Sequence, residues 1–142
     1  MKSQVLEYIL TQRVCVLAVE MPDGSPHAAT LHFAAEANGS RFYFLTPTGS
    51  RKVESLHIRP SSRATVVIGV DEANMKTLQM DGACELIPEQ GRAQFDSIYF
   101  GKFPEKVGKF PDAVAVAFSP TWWRFTDWTT PQGRVVLEST IE

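Results

Sequence analysis

The amino-acid sequence predicts a mainly β protein, built as an antiparallel barrel or a strongly curved sheet with short helices at its ends. Runs of β-branched and aromatic residues alternate with turns rich in Pro, Gly and Asn, which is typical of strands joined in hairpins. Helical patterns fall between groups of strands, and this order argues against a doubly wound parallel sheet. The 142 residues are 44% hydrophobic and 21% charged, which predicts one folded domain over residues 1–142.

The chain begins with one helix pattern, and three strand patterns follow it. Val5, Leu6, Ile9 and Leu10 recur with helical spacing, and Ser3 is a residue type favoured at helix N-caps. Tight turns are predicted where proline presets φ or glycine accepts a positive φ, at Pro22-Asp23-Gly24 and Asn38-Gly39. The strands of this half are predicted over residues 14–19, 27–35 and 41–46.

The second half is predicted to contain two helices and the remaining strands. One helix spans Ser50 to Ile58 and is ended by Pro60, and the other begins with Pro88 and runs to Phe100. Residues 101–112 are predicted to form a surface loop. The strands are predicted over residues 64–70, 76–87, 113–118, 121–127 and 134–138, with a bulge or close backbone approach at Gly82 and a break at Ser119-Pro120.

Charge and cysteine content exclude several classes of function. The net charge of −2 argues against a general nucleic-acid binder, so any bound anion must be met by a local cluster of basic residues. Cys15 and Cys84 lie far apart, without metal-ligand spacing or a disulfide framework, which indicates a reducing compartment. No targeting signal and no apolar run of about 20 residues is seen. We therefore expect a cytoplasmic protein with no nucleic-acid and no membrane partner.

One segment combines features that suit a phosphate group. Thr46 ends a strand, and Ser50, Arg51 and Lys52 follow at the start of the predicted helix. Helix N-termini expose unpaired N–H groups, while the hydroxyl, the guanidinium and the ammonium add donors and positive charge. The alternative interpretation is a capped surface helix whose basic residues are solvated, because this short pattern also occurs by chance.

The order of several segments resembles the pyridoxamine 5′-phosphate oxidase-like flavoprotein family, which has an antiparallel split β-barrel fold. The resemblance covers about residue 5 to residue 128. Each segment is weakly specific by itself, but their order and spacing together are more specific. The segments are Gly24-Ser25-Pro26-His27, Thr30-Leu31-His32-Phe33, Phe42-Tyr43-Phe44-Leu45-Thr46, Gly49-Ser50-Arg51-Lys52, Arg59-Pro60 and Gly82-Ala83-Cys84-Glu85-Leu86.

The resemblance implies a homodimer with FMN at the subunit interface. Arg51 and Lys52 match the basic pair that binds the FMN phosphate, with hydroxyl contacts from Ser50 and Thr46. Thr77 falls where family members often place a glutamine, so that contact is shortened or lost. The remaining cofactor-binding residues that the resemblance implies are Thr30, Leu31, His32 and Phe33 along the isoalloxazine ring, together with Leu45 and Trp123.

The C-terminal strand departs from the family pattern. Pyridoxamine phosphate oxidases carry an Arg-x-His-Asp-Arg run here, whereas this chain has Arg124-Phe125-Thr126-Asp127-Trp128. Arg124 is the predicted substrate-binding residue, and its alternative role is a salt-bridged surface residue. The missing histidine and second arginine argue against pyridoxamine phosphate oxidation and favour the general stress protein branch. The tryptophans of this region could stack on a cofactor or pack in a core or dimer interface.

These observations predict an FMN-dependent oxidoreductase or flavin carrier that acts on a small-molecule substrate or electron donor. The alternatives are a non-catalytic module that binds deazaflavin or haem, and a structural dimer with a vestigial site. His27, His32 and His57 show no metal-ligand spacing, and His32 is of most interest because it lies in the predicted flavin strand. No side chain is identified as a general acid or base, and no metal site is predicted.

Overall fold

The fold is described here from a computed structural model that covers residues 1–69 and 71–139. Within these residues it contains two α-helices, eight strands and several single 3₁₀ turns. The elements are α1 (Ser3–Thr11), β1 (Val14–Glu20), β2 (Pro26–His32), β3 (Ala34–Ala35), β4 (Phe42–Pro47), β5 (Ser62–Ile68), β6 (Lys76–Leu86), α2 (Arg92–Lys102), β7 (Ala113–Thr130) and β8 (Gly133–Glu138).

All of the described strands form one antiparallel sheet that curls into a barrel with an opening. The strand order is β2-β1-β5-β6-β7-β4-β3, and β8 pairs with β7 beyond this path. Only Phe33 separates β2 from β3, so the two ends of the sheet are consecutive in the chain. The sheet therefore closes at β3, where Ala34 pairs with Tyr43, and stays open between β2 and the rest of β4. We call this opening the split; the predicted split-barrel class is confirmed.

The barrel is filled by apolar side chains because alternate residues of each strand point inward. In β4, for example, Phe42 and Phe44 are fully buried in this interior, which we call the barrel core. Cys15 and Cys84 are free thiols within it, and burial raises the pKa of each to about 12. Both thiols are therefore inert packing groups.

A second cluster lies on the outer face of the same strands, under α2. Tyr43 points opposite to its neighbours in β4, and Phe95 packs against it with ring centroids 5.5 Å apart. Strand β4 is thus buried on both faces, which explains its continuous apolar run. We call this group the helix-side cluster; it contains Ala34, Tyr43, Phe95, Tyr99, Phe103, Ala115 and Ala117.

The helix predicted from Ser50 to Ile58 is wrong. The segment forms two single 3₁₀ turns, Arg51–Val53 and Ser55–His57. Side-chain bonds to the backbone compete with α-helix formation here. Ser55 Oγ donates to the carbonyl oxygen of Glu20 on β1, and His57 Nε2 lies 2.8 Å from the carbonyl oxygen of Thr48.

Strand β7 is continuous, although a break was predicted at Ser119-Pro120. Its pairing register with β6 shifts between Asp81 and Gly82, and this irregularity lets Pro120 stay within the ladder. A Cβ atom at Gly82 would overlap the backbone carbonyl of Ser119, so the predicted close approach is confirmed. The positive φ of Gly24 and Gly39 confirms the two predicted turns.

The remaining differences concern the ends of elements. Helix α1 includes Ser3 as its first residue, and the flanking Lys2 makes no side-chain cap. The second helix begins at Arg92, after a 3₁₀ turn at Glu89–Gly91, and ends at Lys102. The predicted strand over 27–35 is interrupted at Phe33, and the predicted loop contains a 3₁₀ turn at Pro104–Lys106. Val70, the predicted end of a strand, lies outside the described residues.

Candidate functional site

The split brings together the residues predicted along the flavin ring and those at the end of β4. Extending the pairing of Ala34 with Tyr43 along both strands brings His32 level with Leu45, and Leu31 level with Thr46. Leu31 packs against the barrel core, whereas Leu45 packs against the helix-side cluster. Thr30 is exposed on β2 and Phe33 is fully buried where the sheet closes. The split is thus lined on one side by β2 and on the other by β4.

Thr46 carries the one buried side-chain polar atom in the described chain that has no hydrogen-bond partner. Thr46 is 3% exposed, and its Oγ1 has neither a donor nor an acceptor within hydrogen-bond distance. An unpaired buried hydroxyl costs about 1–3 kcal/mol, so such groups invite a functional explanation. Thr46 lies at the split, four residues before Ser50 and the basic residues that follow it, which agrees with a hydroxyl kept for a ligand.

The basic turn consists of Ser50, Arg51 and Lys52, and the 3₁₀ turn Arg51–Val53 that overlaps it lies next to β1 and β2. Ser50 Oγ accepts a hydrogen bond from Lys52 N at 3.3 Å and so fixes the turn. Among the described residues, neither Arg51 nor Lys52 forms an ion pair. Arg51 lies close enough to Asp23 to contribute to the lowered pKa of that carboxyl, which hydrogen bonds from Ser25 chiefly cause. The turn therefore presents two cationic side chains without a bound acid.

Three cations border the helix-side cluster next to His32. Arg13 Cζ lies 4.7 Å from the centre of the Phe103 ring, and Lys106 Nζ lies 4.8 Å from it. Lys102 Nζ lies 4.1 Å from the centre of the Phe33 ring and donates to a backbone carbonyl. The sequence analysis missed this group, which we call the basic cluster: Arg13, His32, Lys102 and Lys106.

Burial and mutual repulsion lower the pKa values in the basic cluster. Desolvation, reinforced by Arg13, lowers the pKa of Lys102 to about 8. Desolvation also lowers the pKa of Lys106 and, together with the charge of Lys106, the pKa of His32. Tyr99, whose hydroxyl lies 3.2 Å from Lys106 Nζ, has a pKa raised to about 12 by burial. The cluster thus gathers desolvated cations close to the flavin strand that the sequence predicts.

The other predicted site residues form a separate group on β6 and β7. Thr77 pairs with Thr126, and Trp123 is partly buried against the barrel core. Arg124 donates to both carboxylate oxygens of Glu138 at 3.2 Å. Its guanidinium also lies 5.4 Å from the centre of a tryptophan ring. Arg124 lies on the part of β7 that pairs with β8, Trp123 directly precedes it, and Thr77 pairs with this part of β7 from β6. Strand β4 pairs with the other part of β7, residues 113–118.

In the part of the chain that the structure describes, no group of three or more His, Cys, Asp or Glu side chains is placed to hold a metal ion. Neither described helix has the length and apolar character needed to cross a membrane.

Comparisons with known proteins agree with this architecture. No curated protein sequence matches the chain. A solved structure related to general stress protein 26, from Clostridium acetobutylicum, is 16% identical with a TM-score of 0.65, covering 97% of this chain and 96% of the other. A heme binding protein from Mycobacterium smegmatis is 13% identical with a TM-score of 0.72, covering 99% of this chain and 59% of the other.

A third similar structure is HutZ, a heme storage protein from Vibrio cholerae, which is 16% identical with a TM-score of 0.59. The match covers 84% of this chain and 89% of that protein. At these identities the likeness shows the fold alone. The family assignment comes from the sequence model described as pyridoxamine 5′-phosphate oxidase, which matches residues 1–127. The chain, with its curled antiparallel sheet and its split, belongs to the pyridoxamine 5′-phosphate oxidase family.

Proposed function

We propose that this protein binds FMN in the split and acts as an FMN-dependent oxidoreductase of this family. The observation that carries the proposal is the basic turn: Arg51 and Lys52 form no ion pair within the described chain, and they follow β4 where the split opens. A phosphate supplies the charge-assisted hydrogen bonds that such a pair lacks. Ser50 and the unpaired hydroxyl of Thr46, four residues earlier, would add hydroxyl donors.

The remaining lining of the split suits a flat ring system. Thr30, Leu31 and His32 present a mixed polar and apolar strand, and Phe33 is buried where the sheet closes. Extending the β3–β4 pairing places Leu45 level with His32 on the other side. When FMN is bound, the flavin supplies the redox chemistry and the protein supplies anchoring and orientation. These side chains would orient the ring and limit water beside it.

The second group of predicted residues would complete the site from another copy of the chain. Thr77, Trp123 and Arg124 lie on the opposite part of the sheet, so we infer a homodimer in which they face the partner's split. Arg124 would then anchor an acidic or polar small-molecule substrate, or an electron donor. This role requires it to leave Glu138, an exposed ion pair that costs about 1 kcal/mol or less to break. We expect this assembly in the cytoplasm.

The visible absorption spectrum of the purified protein is recorded first. The protein is then titrated with FMN, and binding is measured by the quenching of flavin fluorescence. The double variant Arg51→Ala/Lys52→Ala should raise the dissociation constant about 100-fold or more, because each lost charge-assisted bond is worth about 1.5–3 kcal/mol. The matched control is Lys2→Ala/Lys109→Ala, which removes the same charge from two exposed positions. Equal FMN affinity in the two double variants would reject the phosphate site.

A haem-binding function is the second candidate, because two similar structures are of a heme binding protein and a heme storage protein. A haem needs an axial ligand, for which histidine is a common choice. Titration with haemin distinguishes the candidates. A Soret band with saturable binding, together with no binding of FMN or a deazaflavin, would support haem as the cofactor and reject the flavin.

A further inference from the structure

One contact in the basic cluster fixes where a histidine carries its proton. Lys106 Nζ lies 2.8 Å from His32 Nδ1. An ammonium group has three donors and no acceptor, so Nδ1 accepts this hydrogen bond with its lone pair. The reverse arrangement, a neutral amine that accepts from Nδ1–H, is disfavoured because lysine is ordinarily about four pKa units more basic than imidazole. His32 is therefore neutral, with its hydrogen on Nε2.

The groups around His32 favour the same state. Arg13 and Lys102 add positive charge on the side of α1 and α2, and burial together with Lys106 lowers the pKa of His32. The carboxylate of Glu105, which would favour the protonated ring, is bound to Arg13 at 3.2 Å. The His32 ring also packs 5.2 Å from Phe103. Among the described residues Nε2 has no protein partner, so its N–H remains available as a donor.

A histidine that binds a metal ion needs the opposite polarity. It ligates through a lone pair, while its other nitrogen donates to a carbonyl or a carboxylate. His57 shows this arrangement at one nitrogen: its Nε2 lies 2.8 Å from the carbonyl oxygen of Thr48, which can only accept, so Nε2 carries a hydrogen and only Nδ1 could supply a lone pair. In His32 a donor occupies Nδ1 and the hydrogen lies on Nε2. Ligation by His32 would require the Lys106 contact to break.

We propose that Lys106 is a specificity-determining positioning residue that holds His32 as a hydrogen-bond donor through Nε2–H. This donor suits an acceptor atom of a flavin lying along β2 and disfavours axial ligation of haem iron by His32. The assignment of the hydrogen stands on the contacts of this chain alone. The choice of a flavin as the acceptor rests on the proposed function.

The assignment is tested first on the protein without added cofactor, by ¹⁵N NMR of its imidazole groups. We expect His32 Nδ1 in the range of an unprotonated nitrogen and Nε2 in the range of a protonated one. Lys106→Met removes the ammonium, so the ring should become a mixture of tautomers with a higher pKa. Lys109→Met, a change at an exposed lysine of the same loop, should leave His32 unchanged. A protonated Nδ1 in the wild-type protein would overturn the proposal.

The consequence for metal binding is tested by titration with haemin. Lys106→Glu replaces the donor by an acceptor, which allows Nδ1–H and frees the Nε2 lone pair. Because such partners change metal affinity by about 10–100-fold, we expect a gain of that size that is lost in Lys106→Glu/His32→Ala. Lys109→Glu makes the same charge change and should show no gain. The proposal is overturned if Lys106→Glu gains nothing, or if His32→Ala removes axial ligation from the wild-type protein.

These outcomes are separable from the proposed function because none of the measurements uses FMN. A protein that ignores FMN but shows the expected His32 tautomer contradicts the flavin function and supports the role of Lys106. A protein that binds FMN but has a protonated Nδ1 in His32 supports the flavin function and contradicts the role of Lys106. If Lys106→Glu does not fold, the imidazole spectrum of the wild-type protein decides the assignment.

Discussion

The barrel core and the helix-side cluster are both buried, but different forces control them. The barrel core consists mostly of aliphatic side chains and phenylalanines, together with Tyr8 and two protonated thiols, and the Lys102 ammonium meets its edge at Phe33. The helix-side cluster is largely aromatic, and Arg13, Lys102 and Lys106 lie against its rings. The comparison teaches that the first region depends on packing and backbone geometry, whereas the second also depends on pH.

The largest loss of barrel stability is expected from a substitution where the backbones of β6 and β7 approach most closely. Gly82→Ala places a Cβ atom against the carbonyl of Ser119, which the rigid ladder cannot easily move away. We expect the free energy of unfolding to fall by about 3 kcal/mol or more at every pH tested. Urea denaturation measures this loss. Gly101→Ala, where nothing lies within 4 Å of the added atom, is the control. A similar stability for both variants would contradict the close approach.

The helix-side cluster is tested by the pH dependence that Lys102 confers. Because its folded pKa of about 8 lies below the ordinary value of 10.5, the unfolded chain binds the extra proton between those pH values. Stability should therefore rise as pH increases from 8 towards 10.5, and the cost is fully present below about pH 8.

The expected size of this effect is about 1–2 kcal/mol between pH 7.5 and 9.5, when wild type is compared with Lys102→Met. Urea denaturation at the two pH values gives the difference. Lys109→Met, at an exposed position, should keep the wild-type slope. If the slope persists in Lys102→Met, this ammonium is not its source.

The smallest effect is expected at Thr46, whose buried hydroxyl has no hydrogen-bond partner among the described residues. Thr46→Val removes a hydroxyl that has no partner, so stability should rise by about 0.5–1 kcal/mol. FMN affinity should fall by about tenfold or less, because the hydroxyl is proposed to bind the phosphate. Thermal unfolding and FMN titration measure the two changes.

Ser55→Ala is the matched comparison for Thr46. The Ser55 hydroxyl is equally buried but donates to a backbone carbonyl at 2.6 Å, so its removal should lower stability by about 1 kcal/mol. If Thr46→Val also destabilises the protein, the hydroxyl already has a partner, such as a buried water molecule, and is not reserved for a ligand.

Much of the barrel could be predicted from the sequence because strand periodicity and turn chemistry are local signals. The strands around Val16 and Phe44 and the crossing at Gly82 were all expected. The prediction of an α-helix after Gly49 was wrong, because hydrogen bonds from its side chains to backbone carbonyls elsewhere in the chain hold that segment in 3₁₀ turns. Local patterns contain no information about such partners.

The basic cluster shows the same limit at the candidate site. Lys106 and His32 are 74 residues apart, and the segment between 101 and 112 has the prolines and charges of a surface loop. Phe103 within it is fully buried and draws Lys106 against the ring of Tyr99. One apolar anchor in a polar segment gives no periodic signal, so the contact could be found only in the folded chain.

The split also affects how this protein behaves in a concentrated solution. Beyond Tyr43, β4 has a neighbour on one side only, and β2 pairs with β1 alone among the described strands. Open strand edges are templates for intermolecular pairing. Pro26 begins β2 and Pro47 ends β4, and proline has no N–H to donate to an incoming strand. Each open edge of the split therefore carries one position that cannot donate a hydrogen bond to an incoming strand, which disfavours sheet extension there.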